Sequence, residues 1–229
     1  MKKKEIFQKI QKTLNGVQNY KNSKIVEDQL IIEFQIEGAK CKTSIRCQHF
    51  GKIYLVNPPV NKLLIENFEN EFETVLFDDV KKFYNNDFTL CVGSGQLDLN
   101  SLLPEYRIES EKDCIEYCEK FKNHIKEVIN IFFYPMSDIT NIGKYVAKFD
   151  YVDNLKVLVG GKFPVHTLKK IFLLKKGNQI ERYLEYKKGF EEQIESFSIR
   201  KPNRKDEAKI FMDNYISLVR KLEEENTFP

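Results

Sequence analysis

Catalysis or metal binding needs a few residue types brought together: His, Cys and carboxylates for a metal, Ser or Cys beside a base for nucleophilic attack, a glycine-rich loop for phosphate. The chain has three histidines, His49, His124 and His166, and five cysteines, Cys41, Cys47, Cys91, Cys114 and Cys118. Cys47 and His49 stand two apart, and Cys114 and Cys118 stand four apart. Neither pair has a second half at metal-ligand spacing, so all four are read as structural, and no metal or other cofactor is expected. His124 lies between Lys122 and Lys126, which favours a solvated position. His166 follows Pro164 where a helix would begin. Neither has the surroundings of a general base. Gly93-Ser94-Gly95 continues as Gln96-Leu97-Asp98, without the Lys-Ser/Thr of a phosphate loop, and reads as a hairpin turn. Glu185-Tyr186-Lys187 and Glu207-Ala208-Lys209 match the Glu-x-Lys half of some metal-dependent nucleases, but both fall in helical patterns. No catalytic residue is assigned, and the chain is read as a non-enzyme. An enzyme of unrecognised type stays as an alternative.

Other residues must position a surface rather than a reaction centre. Ile6, Phe7, Ile10 and Leu14 share one face of a short N-terminal helix, with Gly16 where it would end. Leu30, Ile32, Phe34 and Ile36 then alternate with their neighbours, as do Thr43, Ile45, Cys47 and His49. With 53–56, closed by Pro58-Pro59, these predict three antiparallel strands. Residues 61–84 are open: Leu64, Phe68 and Phe72, then Leu76, Val80 and Phe83, fit helical spacing, with a break near Asn70 or a strand at 74–77 as alternatives. Phe88, Leu90 and Val92 alternate again, and 106–108 reads as a further strand.

Ser110-Glu111-Lys112-Asp113 resembles a capping box. Behind it Cys114, Cys118, Phe121, Ile125, Val128 and Phe132 form an apolar stripe, which Pro135 is expected to stop. Further helices are expected from Ile139, from Pro164 to Lys176, from Ile180, and after Lys201-Pro202-Asn203.

The chain has 229 residues, 41% of them hydrophobic and 31% charged. It is too apolar to be disordered and too charged to be embedded in a membrane. The odd cysteine count without a CxxC pair reads as free thiols in a reducing cytoplasm. No stretch has the length or apolarity of a membrane span.

The 37 basic and 34 acidic residues nearly cancel, yet they are segregated. Residues 66–79 hold Glu66, Glu69, Glu71, Glu73, Asp78 and Asp79 without a Lys or Arg. Residues 156–189 hold Lys156, Lys162, Lys169, Lys170, Lys175, Lys176, Arg182, Lys187 and Lys188 against Glu181 and Glu185. The plain reading is two solvated helix faces. The sharper one is that the acidic block (Glu66, Glu69, Glu71, Glu73, Asp78, Asp79) meets a basic protein partner. Alternatively, Lys169, Lys170, Lys175, Lys176, Arg182, Lys187 and Lys188 form a basic surface for nucleic acid or a scaffold.

The stretch Tyr106-Arg107-Ile108-Glu109-Ser110-Glu111-Lys112-Asp113, with the helix running to Ile131-Phe132-Phe133, resembles an uncharacterised bacterial α+β family carried as a domain of unknown function. Members of that family turn up among polymorphic-toxin immunity proteins. The likeness covers about residues 25–195, and its specific part is 106–142. The family's segment ends on a Pro-Phe-Phe-like element, whereas here the order is Phe132-Phe133-Tyr134-Pro135, with the proline displaced. The resemblance implies an antiparallel sheet with helices, a cytoplasmic location, and binding rather than catalysis. It carries no catalytic residues.

The expectation is a single α+β unit over 1–229. Residues 1–109 are mostly sheet with a flanking helix, and 110–229 mainly α-helical. Its function is to bind another protein, as a cytoplasmic bacterial immunity-like protein that occludes a basic toxin.

Overall fold

The computed structural model describes residues 2–224. In chain order, α1 (Lys3–Thr13) leads into strands β1 (Tyr20–Val26), β2 (Gln29–Ile36), β3 (Ala39–Phe50), β4 (Ile53–Val56) and β5 (Val60–Leu64). Two short helices follow, α2 (Glu66–Thr74) and α3 (Asp78–Lys81), then strands β6 (Leu90–Gly93) and β7 (Tyr106–Ile108). The remainder is helical: α4 (Glu111–Val128), α5 (Tyr134–Met136), α6 (Ile139–Val146), α7 (Val165–Lys176), α8 (Ile180–Arg200) and α9 (Lys205–Glu224). The protein is therefore α+β, with an antiparallel sheet in its N-terminal half and a mainly helical C-terminal half.

The described residues pack as two compact units. The first joins 2–63 to Cys91–Ser137, and the second joins Leu64–Leu90 to 138–224. The chain crosses between them at 63/64, 90/91 and 137/138.

In the first unit the strand order is β1-β2-β3-β4-β7, and β5 pairs with β3 and β6. The expected meander is present as β2-β3-β4, antiparallel throughout. Its register sets Leu30 opposite Ile45, Ile32 opposite Thr43 and Phe34 opposite Cys41, all buried. The period of two thus turns one whole row of side chains inward. Helix α1 buries Ile6, Phe7 and Ile10 and packs on α4, with Lys9 paired to Glu111 at 2.6 Å.

Two strands escape the sequence patterns. β1 is an edge strand whose residues are all exposed or half-buried, so no apolar alternation marks it. β5 follows the prolines directly, and its end overlaps the helical spacing of 61–84. That segment resolves into β5, α2 and α3, with the break at 75–77 rather than near Asn70 and without a strand at 74–77. Gly93-Ser94-Gly95 is not a hairpin turn: β6 runs into a 3₁₀ turn at Ser94–Gln96.

The capping box forms as expected. Ser110 Oγ accepts from the Asp113 amide at 3.3 Å, and the Asp113 carboxylate accepts from the Ser110 amide at 2.8 Å. Pro135 does not stop the helix. A π-helical turn at Ile129–Phe133 carries the chain into α5, with Pro135 in its first turn. Widening the turn accommodates a residue that lacks an amide proton and whose ring would clash one turn back.

In the second unit α7 is central. Val165, Thr167, Leu168, Lys169, Lys170, Ile171, Phe172, Leu173 and Leu174 are all buried, with α6, α8 and α9 packed around the helix. The crossing with α6 is close: a Cβ on Gly143 would lie 2.6 Å from the Leu173 carbonyl oxygen and 2.7 Å from Gly177 Cα. Intrinsic helix propensity favours Gly143→Ala by about 1 kcal/mol. The clash opposes it, and forced repacking costs about 1–3 kcal/mol and more where backbone must move. A urea denaturation series should show Gly143→Ala net destabilised by about 2 kcal/mol. A neutral or stabilised variant would show that the crossing can open.

Candidate functional site

The two charge blocks identified in the sequence both lie in the second unit, and much of their charge is spent within it. Glu69 is 2% exposed and Lys169 is fully buried, with Lys169 Nζ donating to Glu69 Oε2 at 2.7 Å. Glu71 pairs with Lys176 at 2.7 Å. Arg182 pairs with Glu185, Lys187 with Glu223 at 2.7 Å, and Lys188 with Glu192 at 3.8 Å. Lys175 lies over the Tyr183 ring. Lys170 is fully buried and donates to the Asn154 carbonyl. Neither block survives whole as a surface: Glu69, Lys169 and Lys170 are interior, and Glu71, Lys176, Arg182, Lys187 and Lys188 are ion-paired. Opposite charges far apart in sequence are near in space because α2 packs on α7, with Phe68 and Phe72 edge-on to Phe172 at 5.6 Å.

The interior cluster is hydrogen-bonded around one carboxylate. Glu69 Oε2 accepts from Lys169 Nζ and from Tyr84 Oη, each at 2.7 Å. Glu69 Oε1 accepts from Thr89 Oγ1 at 2.7 Å, and Thr89 Oγ1 in turn accepts from the Ile65 amide at 3.0 Å. The ammonium also lies 5.1 Å from the Tyr84 ring centre and 5.6 Å from that of Phe72. Burial draws the Lys169 pKa below its ordinary value, against the pull of Glu69. One helical position along, burial lowers Lys170 to about 8. The same helix carries His166, whose Nδ1 is buried without a partner. Burial, reinforced by Lys170, holds its pKa down at about 4.

The first unit contains a Ser–His pair that the sequence reading missed. Ser94 Oγ lies 2.9 Å from His124 Nε2, and His124 Nδ1 lies 2.8 Å from the Ser101 carbonyl oxygen. A carbonyl only accepts, so Nδ1 carries a proton and in the neutral ring Nε2 is an acceptor; the Ser94 hydroxyl then has one proton for two acceptors, Nε2 and the Pro59 carbonyl oxygen. Burial lowers the His124 pKa and favours that neutral ring. This is the arrangement of a nucleophile and its base. However, Ser94 and His124 are both 0% exposed, and Ser94 Oγ also lies 2.9 Å from the Pro59 carbonyl oxygen. Nothing in solution reaches the hydroxyl.

The pair acts instead as an internal tie. It continues through Asn61 to Thr43, whose hydroxyl donates to Asn61 Oδ1 at 2.8 Å. Glu127, one turn from His124, accepts from the Asn100 and Ser101 amides at 2.7 and 2.8 Å. Together they fasten the 94–103 segment to α4. The expectation that His124 is solvated is corrected. Its spacing from Phe121 and Val128 puts it on the buried face, a signal that the flanking lysines masked.

Cys114 and Cys118 are buried on the α4 stripe, as expected. All five cysteines are free thiols and buried, and burial raises Cys41 to about 12 and Cys47 to about 11. Among the described residues no three His, Cys or carboxylate side chains converge as metal ligands, and no helix is long and apolar enough to cross a membrane.

The acidic block keeps Glu66 exposed at the start of α2, Glu73 half-exposed near its end, and a corner beyond it. Phe77 is 41% exposed, the Asp78 side chain is 99% exposed, and Asp79 is exposed beside them. Asp78 pairs with the nearby Lys81, at 3.3 Å. The backbone beneath is clasped by α9: the Phe77 amide donates to Asn214 Oδ1, and Asn214 Nδ2 donates to the Val75 carbonyl, both at 2.9 Å. Asn214 is fully buried. Compared with protein-family models, with curated proteins and with solved structures, the chain matches none.

Removing either partner of the Glu69–Lys169 pair should cost about 3–5 kcal/mol, because the other charge is left buried and unpaired. A cycle of Lys169→Met, Glu69→Leu and the double variant should show the double markedly less destabilised than the sum. Additive losses would mean that the pair is not coupled. Acid should also weaken the fold through His166. Its folded pKa of about 4 lies below an unfolded value of about 6.5, so the unfolded state binds more protons between these values and stability falls as pH falls. The expected loss from this group is about 2 kcal/mol between pH 7 and pH 5, and His166→Gln should flatten that part of the pH profile of unfolding.

Proposed function

We propose that this chain is a protein-binding module of the immunity type, acting in a bacterial cytoplasm to neutralise a toxin by occlusion. The observation that carries the reading is the corner at Phe77, Asp78 and Asp79. An exposed aromatic beside two carboxylates, on a backbone already clasped by a buried Asn214, is a preorganised contact. Aromatic anchors supply much of an interface's energy, and a fixed backbone loses little entropy on binding. Flanking carboxylates speed the encounter with a basic partner and reject acidic ones. Of the acidic block, Asp78 and Asp79 carry the proposal because they flank the aromatic, whereas Glu66 and Glu73 belong to α2 and not to the corner. Glu69 leaves it because it is interior, and Glu71 because it is paired with Lys176. The nucleic-acid alternative draws less support. Lys169 and Lys170 are buried, and Lys176, Arg182, Lys187 and Lys188 already face carboxylates, so few cations remain to displace counterions from phosphate.

The test uses the tagged chain to capture its partner from the native host, with the partner identified by mass spectrometry and titrated in purified form. Phe77→Ala should weaken binding by about 30-fold, the scale of a hot-spot residue. Asp78→Lys with Asp79→Lys should slow association at low salt, and the gap to wild type should narrow as salt rises. A captured protein that binds both variants as tightly as wild type overturns the corner as the interface. Retention of nucleic acid in place of a protein overturns the protein-binding reading.

A further inference from the structure

We propose that the solvent face of α9 is a self-association surface, and that its partner is a second copy of this chain docked antiparallel about Ile216. Five exposed residues at 209, 213, 216, 220 and 224 share one stripe of this helix, turned away from the buried Phe211, Tyr215, Leu218 and Leu222. In order they are Lys209, Asp213, Ile216, Arg220 and Glu224: basic, acidic, aliphatic, basic, acidic. Read backwards from Ile216, every charge has the opposite sign.

That antisymmetry has a direct geometric consequence. When two copies of the stripe lie antiparallel with Ile216 against Ile216, Lys209 faces Glu224 of the second copy and Asp213 faces its Arg220. A twofold contact repeats each pairing, so four opposite-charge pairs surround one aliphatic contact. A parallel arrangement would oppose like charges at all four positions. The pattern therefore selects both the partner and its direction.

The surroundings favour the same occupant. Ile216 is 55% exposed at the centre of a charged stripe, where a solvated helix face has no use for an aliphatic side chain. Arg220 and Glu224 lie 3.9 Å apart along their own helix, at 74% and 71% side-chain exposure, so a second chain can reach both. Beside Ile216 runs an open groove of about 490 Å³ lined by Glu191, Tyr215 and Val219, which offers apolar floor to the second copy's isoleucine.

The full chain should show a monomer–dimer equilibrium in analytical ultracentrifugation, with the dimer weakened about tenfold or more between roughly 50 and 500 mM salt, since exposed ion pairs are screened. Asp213→Arg sets cation against cation at two symmetry-related places and should weaken the dimer by about tenfold or more. Combining it with Arg220→Asp restores opposite signs across the twofold axis and should return the affinity to within about threefold of wild type. Ile216→Cys places a thiol opposite its own copy and should cross-link into a covalent dimer under mild oxidation. A chain that stays monomeric to about 300 μM at low salt, where even a weak specific contact would register, overturns the proposal. So does a dimer indifferent to Asp213→Arg, a double reversal that fails to restore it, or the absence of the Ile216→Cys cross-link. All these positions are exposed, and circular dichroism on each variant separates lost association from lost folding.

Discussion

The buried pair between Glu69 and Lys169 is the constraint on which the helical unit depends. A lysine in the middle of a fully buried helix is tolerable only if its ammonium meets a carboxylate and the carboxylate's remaining lone pairs are met as well. Tyr84 and Thr89 meet them, and Thr89 also takes the Ile65 amide at the start of α2. One side chain thus ties α2, the segment after α3 and the approach to β6 to the central helix α7. Such a pair adds little net stability over an apolar replacement, because desolvation offsets most of the attraction. Its effect is on register: any slip of α2 along α7 strands a charge.

Close backbone approaches complete that arrangement. Gly143 and Gly177 let α6 and α7 cross with Cα atoms almost in contact. Gly160 lets its segment lie against the carbonyl oxygens of Asn85 and Phe88, each 2.4 Å from where a Cβ would sit, with Lys169 Nζ 3.1 Å away. The glycines and the ion pair are parts of one packing solution. A larger residue at 160 would push against the segment that carries Tyr84 and Thr89. The same helix also buries Lys170 and the Nδ1 of His166, and the pKa values of both side chains are drawn down by their surroundings. The interior of this unit holds more ionisable chemistry than its surface position in the sequence would lead one to expect.

Folding therefore changes what the charged segments mean. Written along the chain, acidic and basic blocks look like two opposed surfaces. Packed, they partly neutralise one another, through Glu69–Lys169 and Glu71–Lys176, and the clasped corner at Phe77 stays exposed. The antisymmetric stripe of α9 lies outside both blocks. Both owe their shape to tertiary contacts: the first to Asn214, which lies 137 positions beyond Phe77, the second to the burial of the opposite face of α9 against α7 and α8.

The sequence by itself determined the elements whose signal is local. The period of two in β2 and β3, the Ser110–Asp113 cap, the apolar stripe of α4, and the helices around Gly177-Asn178 and Lys201-Pro202-Asn203 all rest on spacings of two to four residues, which backbone geometry alone converts into strand or helix. The edge strand β1 was not legible, because a strand exposed on both faces has no alternation. Nor was β5, because a short apolar run is equally compatible with a helix. The continuation of α4 past Pro135 needed a π turn that no local pattern announces. Only the tertiary structure decided which charges are buried and which His meets which Ser. Glu69 and Lys169 are a hundred residues apart, and Ser94 and His124 thirty. Their partnership depends on desolvation and on the packing of distant elements, and neither is encoded in the spacing of neighbours.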